Sequence, residues 1–175
     1  MRPSPLLRAA TPDDAARVAA IYNQGIAERS STFETAPRTA GDMALKIAAN
    51  PRRLPFLVAE IDGTVAGWCA LSAYRPRACY DGIAEFSIYL DPAFRGRGLG
   101  RQLLEAILAA AAEAGYWKLV ARIFPFNTAS RALCRVCGFR EVGLYEKHGQ
   151  LDGRWLDVVI VERLIPENQR QEIVR

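Results

Sequence analysis

The sequence predicts a mixed α/β fold in which helices cover one β-sheet. Helix-like and strand-like segments follow each other along the chain in the order α, α, β, β, β, α, β, α, β, β. The chain has 175 residues, half of them hydrophobic, which is enough for one sizeable core. No repeat, linker or low-complexity tract interrupts it. We therefore expect a single domain over residues 1–175, with a polar tail over about 166–175 that frays.

Four segments carry the periodicity and the end signals of helices. The first, ATPDDAARVAAIYNQGIAE, begins with Thr11 as a cap and Pro12 in the first turn. AGDMALKIAAN is a shorter second helix. The third follows the glycine-rich stretch RGRGLG and ends at Gly115, and the fourth, NTASRALCRVCGF, closes at Gly138.

Six apolar or alternating runs are typical of strands. They are FLVAEI, TVAGWCALSAY, IAEFSIYL, WKLVARIF, REVGLYEKH and RWLDVVIVERL. The first two are separated by Asp62 and Gly63, a pair typical of the tight turn of a β-hairpin.

Charge and composition exclude several classes of protein. The net charge is +4, and the arginines are spread along the chain, so we expect no nucleic-acid partner and favour an anionic small ligand. The start MRPSPLLRAATPDD lacks the apolar stretch of a signal peptide, and no apolar run approaches the length of a membrane span. We therefore expect a cytoplasmic protein with reduced thiols and no membrane partner.

Two of the four cysteines, Cys134 and Cys137, form a CxxC pair. The pair lies in a predicted helix, and no second pair or histidine ligand follows at the spacing of a zinc site. We therefore interpret both as small apolar residues and expect no metal.

The stretch RGRGLG at 95–100 lies between a strand and a helix. A helix start presents unpaired N–H groups and partial positive charge, and glycine allows both positive φ and the close approach of an anion. Arg95, Arg97 and Arg101 add mobile positive charge. The pattern matches neither GxxxxGK[ST] nor GxGxxG. It favours a pyrophosphate site, with an ordinary glycine-rich turn as the alternative.

This stretch resembles the acetyl-CoA motif [RQ]-x-x-G-x-[GA] of the GNAT acetyltransferase superfamily. Arg95, Gly98 and Gly100 fill its specified positions. The later NTASRALCRVCGFREVG is similar to the second signature of that superfamily, in which an Asn opens a helix that ends in Gly-Phe. The resemblance implies the GNAT fold, a central, mostly antiparallel sheet flanked by helices, and acetyl-CoA as co-substrate.

The resemblance also implies which residues contact acetyl-CoA. The backbone from Ile88 to Leu90 would pair with the pantetheine arm and donate an N–H to the thioester oxygen, residues 96–101 would hold the pyrophosphate, and Asn127 would bond the arm as well as cap its helix. The full implied set is Ile88, Tyr89, Leu90, Arg95, Gly96, Arg97, Gly98, Leu99, Gly100, Arg101 and Asn127.

Glu85 is the candidate catalytic base. Acyl transfer needs a deprotonated amine, and a carboxylate can accept the proton. Glu85 has apolar neighbours in the strand IAEFSIYL, where a charged residue indicates a specific role. Strand alternation places Glu85 on one face with Ser87 and Tyr89. It also matches the glutamate of the superfamily that deprotonates the amine directly or through water. A solvated carboxylate at a sheet edge is the alternative.

A closer resemblance, to the phosphinothricin N-acetyltransferase branch, covers nearly the whole chain. It rests on IYNQGI, STFET, SAYRPRACY, AEFSIYL and GRWLDVV. The branch includes acetyltransferases for methionine sulfoximine and arsinothricin, and its members are commonly homodimers. The resemblance implies transfer of an acetyl group to the α-amine of a small acidic amino-acid analogue.

Such a substrate needs fixed cations. Arg75 and Arg77 in YRPRACY can bind acidic groups bidentately and match the substrate loop of the branch, together with Tyr80. Phe33 and Glu34 match a TFE loop that lines the substrate pocket. Solvated arginines and a core phenylalanine are the alternatives.

Some positions depart from the branch or leave its chemistry open. Cys134 stands where the family often has Tyr or His, and a thiol is a weak donor. His148 resembles a family histidine in its KHG context, but the register places that position at Asp152. Trp155 would pack near the pocket, and Asp157 would have a structural role.

Two other functions remain open at this stage. The same chemistry could act on an ordinary amino acid, a polyamine or a protein N-terminus, although the RPR sequence disfavours a polyamine. A non-catalytic acetyl-CoA-binding module is the other alternative, and Glu85 beside the glycine turn argues against it.

Overall fold

The computed structural model describes residues 4–49 and 53–169. The strands within these residues are β1 (Leu6–Ala9), β2 (Phe56–Ile61), β3 (Thr64–Ala73), β4 (Ile83–Leu90), β5 (Lys118–Ile123), β6 (Arg140–Leu151) and β7 (Arg154–Leu164). The helices are α1 (Ala15–Glu28), α2 (Ala40–Ala48), α3 (Leu99–Glu113) and α4 (Thr128–Val136). Every helix and strand that the sequence predicts is present, which confirms the mixed α/β fold.

The strands form one sheet in the order β1-β2-β3-β4-β5-β7-β6. Only β4 and β5 are parallel, and every other neighbouring pair is antiparallel. The prediction of a mostly antiparallel central sheet is therefore confirmed. The parallel pair needs a long crossover, which α3 supplies.

Helices cover both faces of this sheet. One core lies under α1 and α2 and includes Val18, Ile21, Met43, Val58 and Trp68. The other lies under α3 and α4 and includes Phe86, Leu103, Ile107, Leu119 and Phe139. Because strand side chains alternate, successive residues of β4 face opposite cores, with Phe86 in one and Tyr89 against the other.

The sheet opens between its two parallel strands. The pairing of β4 with β5 consists of three residue pairs and ends at Glu85 and Val120. Beyond that point β4 pairs with β3 up to Leu90, while β5 pairs with β7 up to Ile123. The backbone of β4 from Phe86 onward thus has one edge that none of the described strands covers, and its free N–H and C=O groups need another partner.

The first strand, β1, is not predicted from the sequence. β1 is four residues long and pairs antiparallel with β2 at the edge of the sheet. The segment LLRA is too short to show alternation, so its strand conformation depends on the neighbour that pairs with it.

Two hairpins have the same turn. Asp62 and Gly63 both have positive φ, 50° and 75°, between β2 and β3, which confirms the predicted hairpin. Asp152 and Gly153 have φ of 48° and 76° and connect β6 to β7 in the same way.

The start of α1 is held by charged groups. A 3₁₀ turn over Pro12–Asp14 precedes the helix, and the Thr11 N–H donates to the Asp14 carboxylate at 2.8 Å. The Arg8 guanidinium donates to both Asp14 oxygens at 2.8 and 2.9 Å and also reaches Glu60. These bonds tie β1, β2 and the helix start together.

The predicted tail lies only partly within the described residues. Pro166–Asn168 form a 3₁₀ turn, and the Asn168 amide donates to the carbonyls of Ala112 and Tyr116 at 2.7 and 2.9 Å. The tail is therefore anchored at its start, whereas residues 170–175 lie outside the described part. Over 4–49 and 53–169 no helix combines the length and apolarity required to cross a membrane.

Candidate active site

A cleft lies where β4 separates from β5. It has a volume of about 450 Å³ and is bounded by the end of β4, the glycine-rich turn, the first turns of α4 and the chain after α1. We call it the turn cleft. Nine of the residues predicted to bind acetyl-CoA line it: Ile88, Tyr89, Leu90, Arg95, Gly96, Gly98, Gly100, Arg101 and Asn127.

The three positions of the turn require glycine for two different reasons. Gly96 and Gly98 have φ of 72° and 80°, and a Cβ on either would meet nothing within 4 Å. They permit left-handed backbone beside open space, which is the geometry of an anion-binding turn. Gly100 is buried in the first turn of α3, and a Cβ there would lie 3.2 Å from Leu133. It allows α3 and α4 to approach closely.

The arginines of the turn are more restrained than the sequence suggests. Arg95 forms an ion pair with Glu28 at 2.9 Å and donates to the Leu90 carbonyl at 3.1 Å. Arg101 pairs with Glu105 one turn along α3 at 2.7 Å. Arg95 thus ties the turn to the end of α1 rather than carrying freely mobile charge.

Two predicted residues lie away from the turn cleft. The Leu99 side chain is 2% exposed and packs in the core under α3. Arg97 stacks on Phe94, with its guanidinium carbon 5.7 Å from the ring centre, and borders a separate cavity with Leu99. Only the backbone of Leu99 is available to a ligand in the cleft.

Asn127 caps α4 and also holds the chain that follows α1. Its Oδ1 accepts the Ser130 N–H at 3.1 Å, and its Nδ2 donates to the Ser30 carbonyl at 3.1 Å. The predicted helix cap is therefore confirmed, and the same amide fixes one wall of the turn cleft.

A second cavity, of about 500 Å³, lies on the α1 and α2 side of the sheet. We call it the carboxylate pocket because Glu85 lines it, together with Ser87 and Tyr89, which lie on the same strand face. A small cavity of about 50 Å³ shares lining residues with both larger ones, among them Ser31 and Tyr89. The two cavities thus meet across β4.

Both oxygens of the Glu85 carboxylate are bound by one side chain. Arg122 on β5 donates from Nε to Oε1 at 2.7 Å and from Nη2 to Oε2 at 3.0 Å. Arg122 is not among the residues predicted from the sequence, although its signal is similar to that of Glu85. Each is a charged residue with apolar neighbours on both sides in a strand.

Phe33 and Glu34 also line the carboxylate pocket. Phe33 packs edge-on against Phe124, with ring centres 4.8 Å apart, and contacts Gly149 on β6 so closely that a Cβ there would be 2.8 Å from the ring. The Glu34 carboxylate pairs with Arg38 at 2.6 Å. The loop after α1 therefore has a fixed position over the pocket.

The pocket contains further polar groups that the sequence analysis does not identify. Tyr22 and Lys46 line it, and no sequence signal separates either from an ordinary helix residue. Lys46 as a whole is exposed, but its ammonium lies 5.6 Å from the ring centre of Trp68, and partial burial lowers its pKa. Burial raises the pKa values of Tyr22 and Tyr89, so both phenols remain neutral donors near pH 7.

The predicted substrate loop after β3 lies on the surface. Arg75 and Arg77 are exposed, and the Arg75 guanidinium carbon lies 5.2 Å from the ring centre of Tyr74. Tyr80 is half-buried and meets Tyr74 edge-on, with ring centres 5.8 Å apart. Arg75 is thus presented to solvent beside an aromatic pair, and none of Arg75, Arg77 and Tyr80 lines the turn cleft or the carboxylate pocket.

A family model described as the acetyltransferase (GNAT) family matches residues 20–139. The chain belongs to the GNAT acetyltransferase family. A phosphinothricin N-acetyltransferase of Alcaligenes faecalis is 36% identical over 160 residues, which are 90% of this chain and 81% of that protein. An L-methionine sulfoximine/L-methionine sulfone acetyltransferase of Pseudomonas paraeruginosa is 33% identical over 147 residues, 83% of this chain and 86% of that protein.

A solved structure supports the same assignment. A GNAT superfamily phosphinothricin acetyltransferase from Sinorhizobium meliloti, in complex with AcCoA, matches with a TM-score of 0.89 and 32% identity, over 96% of this chain and 92% of that chain. The GNAT acetyltransferase described here is accordingly an acetyl-CoA-dependent N-acetyltransferase.

The turn cleft of this GNAT acetyltransferase fits acetyl-CoA. Open space stands beside the positive-φ backbone of Gly96 and Gly98, where a diphosphate needs N–H donors. The uncovered edge of β4 offers backbone groups to an amide-containing arm. Leu133 and Val136 add apolar wall.

The positions that depart from the family have other roles. Burial raises the pKa of the Cys134 thiol to about 12, so it remains protonated and is a poor proton donor to a thiolate. Asp152 forms an ion pair with Arg29 at 2.9 Å in the β6–β7 turn. His148 is exposed and packs against Tyr145, with the two rings tilted by 44° and their centres 4.8 Å apart.

Trp155 and Asp157, which match the signature of the branch near the end of the chain, have different surroundings. The Asp157 carboxylate accepts the Lys147 N–H at 2.7 Å across an irregularity in β6, which confirms its structural role. Trp155 is 57% exposed on β7 and is not among the residues that line the carboxylate pocket, so its packing near the pocket stays a prediction. Over the described ranges 4–49 and 53–169, no three His, Cys, Asp or Glu side chains cluster as metal ligands would.

Proposed function

We propose that this GNAT acetyltransferase moves the acetyl group of acetyl-CoA to the α-amine of a small acidic amino-acid analogue. Phosphinothricin, methionine sulfoximine and arsinothricin represent the class, and their acetylation would detoxify them. The observation that carries the proposal is the similarity, over 90% of the chain, to a phosphinothricin N-acetyltransferase. The carboxylate pocket beside the turn cleft supports it.

Glu85 is the proposed base. The α-ammonium of an amino acid has no free electron pair, so one N–H bond must break before the nitrogen can attack. The Glu85 carboxylate would take that proton, directly or through water, from an amine lying in the carboxylate pocket. Acetyl-CoA supplies the activated acetyl group, which forms a C–N bond with the amine as its C–S bond breaks. The nitrogen then loses a second proton to water, which leaves the amide, and CoA departs.

The uncovered edge of β4 is the proposed site of carbonyl polarisation. A backbone N–H within Ile88–Leu90 would donate to the thioester oxygen as negative charge develops there. The turn over 96–101 would hold the pyrophosphate, and Asn127 would bond the cofactor arm. Since Cys134 keeps its proton, water would protonate the departing thiolate.

Two loops would recognise the acceptor: the loop after α1, which lines the carboxylate pocket, and the loop after β3, whose Arg75, Arg77 and Tyr80 do not line that pocket. Phe33 and Glu34 would line it, and Tyr80 would support the loop from which Arg75 and Arg77 bind acidic groups as planar forks. Arg75 and Arg77 are exposed and form no ion pair with another described residue, so an anionic ligand would not have to break one.

A homodimer in the cytoplasm is part of the proposal. The strands β6 and β7, at one edge of the sheet, expose large apolar side chains: Val142, Leu144 and Tyr145 on β6 and Trp155 on β7. An edge strand with exposed apolar side chains is rarely left uncovered. The proposed occupant is a second copy of this chain.

The domain is proposed to extend over residues 1–175.

The proposal is tested by measuring CoA release with a free-thiol reagent. Purified protein and acetyl-CoA would be combined with phosphinothricin, methionine sulfoximine, arsinothricin, glutamate, neutral amino acids, spermidine and a short peptide, with hydrolysis in the absence of an acceptor as the control. We expect release with one of the acidic analogues to exceed all the others. Release only with the peptide, or none with any amine despite acetyl-CoA binding, would overturn the proposed acceptor.

A further inference from the structure

The contact between Glu85 and Arg122 leaves hydrogen-bonding capacity on both side chains. Among the described residues, Arg122 uses the N–H of Nε and one N–H of Nη2 for Glu85, so two N–H bonds of Nη1 and one of Nη2 remain. The Glu85 carboxylate accepts two bonds and has about four acceptor positions. The pair therefore combines one available cationic edge with available anionic lone pairs.

The pair of Glu85 and Arg122 lies where β4 and β5 separate. The β4–β5 ladder ends at Glu85 and Val120, and Arg122 lies two residues beyond on the same face of β5. The Glu85 side chain is 19% exposed and the Arg122 side chain 56% exposed. The carboxylate is thus held within the wall, while the guanidinium reaches into the carboxylate pocket that both residues line.

The pair contributes little to holding the fold together. Ion pairs with an exposed partner stabilise a protein by about 0–1 kcal/mol, because the charges are screened and the side chains lose freedom. The strands around it already pair on their outer sides, β4 with β3 and β5 with β7. Stabilisation of the fold by this ion pair therefore does not explain the presence of Arg122 on β5.

The charges of the pair are complementary to those of a free α-amino acid. Such a molecule carries an ammonium and a carboxylate on the same carbon, and Glu85 and Arg122 present an anion and a cation side by side. We propose that Arg122 binds the α-carboxylate of the acceptor through its free Nη1 and Nη2 edge, while the α-ammonium lies on Glu85. The inference rests on the proposed function and adds the residue that selects free α-amino acids.

This assignment separates the two acidic groups of the acceptor. The amine must lie within reach of Glu85. The carboxylate on the same carbon is then close to Arg122, which binds it. Arg75 and Arg77 on the exposed loop are then left for the distal acidic group. An amine without an α-carboxylate would leave the Arg122 edge unpaired and would be positioned less well.

The test compares two ligands that differ only at the α-carboxyl group. L-methionine sulfone has a neutral side chain, so its α-carboxylate is its only acid, and its α-carboxamide keeps the amine. Calorimetric titration with CoA present gives the affinity of each ligand for wild type, Arg122→Gln and Arg122→Lys. Arg131→Gln is the control, since Arg131 forms a similar bidentate pair with Glu141 at 2.8 and 3.0 Å outside the pocket.

We expect wild type and Arg131→Gln to prefer the acid over the amide. In Arg122→Gln that preference should fall by about tenfold to a hundredfold, the range for a hydrogen bond to a charged group, with amide binding nearly unchanged. Arg122→Lys should be intermediate, because it keeps the charge without the planar fork. The role of Arg122 would be overturned if wild type bound the acid and the amide with equal affinity, or bound neither. It would also be overturned if Arg122→Gln kept the wild-type preference for the acid.

CoA release from acetyl-CoA, measured in separate reactions with the same proteins and ligands, reports on the proposed function. Turnover without a preference for the acid would overturn only the role of Arg122. A preference for the acid in binding, without release of CoA, would support Arg122 and overturn acetyl transfer to this acceptor.

Discussion

The Asn127 side chain donates to the Ser30 carbonyl at 3.1 Å, although the two residues are 97 positions apart. The same side chain accepts the Ser130 N–H and so caps α4. One amide therefore fixes both the helix start and the loop on opposite sides of the turn cleft, and the width of that cleft depends on it.

Asn127→Ala should lower the free energy of unfolding by about 1 kcal/mol, the usual effect of losing an N-cap. It should also raise the KM for acetyl-CoA, because the loop after α1 loses its attachment. Denaturant titration and thiol-release kinetics measure the two effects.

Asn127→Asp separates these roles. A carboxylate can still accept the Ser130 N–H but cannot donate to the Ser30 carbonyl. We expect stability close to that of wild type together with a raised KM for acetyl-CoA. A wild-type KM in this variant would show that the bridge to Ser30 has no effect on the cleft.

Glu85→Gln should reduce kcat by about 10²–10⁴, the usual contribution of a general base. The affinity for acetyl-CoA should not change, because the side chain lies in the carboxylate pocket and not in the turn cleft. Single-turnover kinetics and calorimetry measure the two quantities, and Glu141→Gln on the surface is the control. A variant that loses acetyl-CoA binding but keeps its turnover rate would contradict the role of Glu85 as base.

The stability of the protein should depend on Asp14 at acid pH. Hydrogen bonds from Arg8 lower the pKa of this buried carboxyl from 3.8 to about 2, despite the opposing effect of burial. A carboxyl group with a lowered pKa in the folded state stabilises above its unfolded pKa, and the effect is lost as the pH falls through the folded pKa. The shift corresponds to about 2 kcal/mol at neutral pH.

Asp14→Asn should therefore be about 2 kcal/mol less stable than wild type at pH 7, with the difference shrinking between about pH 4 and pH 2. Urea titrations at several pH values measure it, and the exposed neighbour Asp13 supplies the control, Asp13→Asn. A difference that is the same at pH 2 and pH 7 would mean that the Asp14 charge is not its source.

Gly149→Ala should displace Phe33 from the carboxylate pocket, because the new Cβ would lie 2.8 Å from the ring. We expect a several-fold higher KM for the acceptor, an unchanged KM for acetyl-CoA and a loss of about 1–3 kcal/mol of stability from overpacking. Gly143→Ala on the same strand is the control, since a Cβ there meets nothing within 4 Å. Equal kinetics for the two variants would exclude Phe33 from acceptor binding.

Leu144→Glu should convert the proposed dimer into a monomer, because it places a charge in the apolar surface of β6. Light scattering coupled to size exclusion measures the mass. Leu6→Glu is the matched control, since Leu6 is 56% exposed on the opposite edge of the sheet and Leu144 is 49% exposed. A monomeric wild type, or a dimer that Leu144→Glu leaves intact, would contradict the proposed interface.

Features that depend on neighbours in the chain are readable from the sequence. Alternation and helical periodicity identify four helices and six of the seven strands, and Asp62–Gly63 identifies a turn. The glycines of RGRGLG mark a left-handed turn before a helix, and Asn127 marks a helix cap. In each case the conformational preference of one or two residues, or the period of a short run, determines the local structure.

Features that depend on contacts between distant segments are decided by the tertiary structure. The strand β1 exists because β2 pairs with it, and the cleft exists because β4 and β5 separate after three residue pairs. Arg95 pairs with Glu28 and Arg122 with Glu85 across 67 and 37 positions. The sequence by itself determines the elements and the residue types of the site. Which charges meet is determined only when packing fixes the distance between strands, because electrostatic and hydrogen-bonding partners are selected by distance in space.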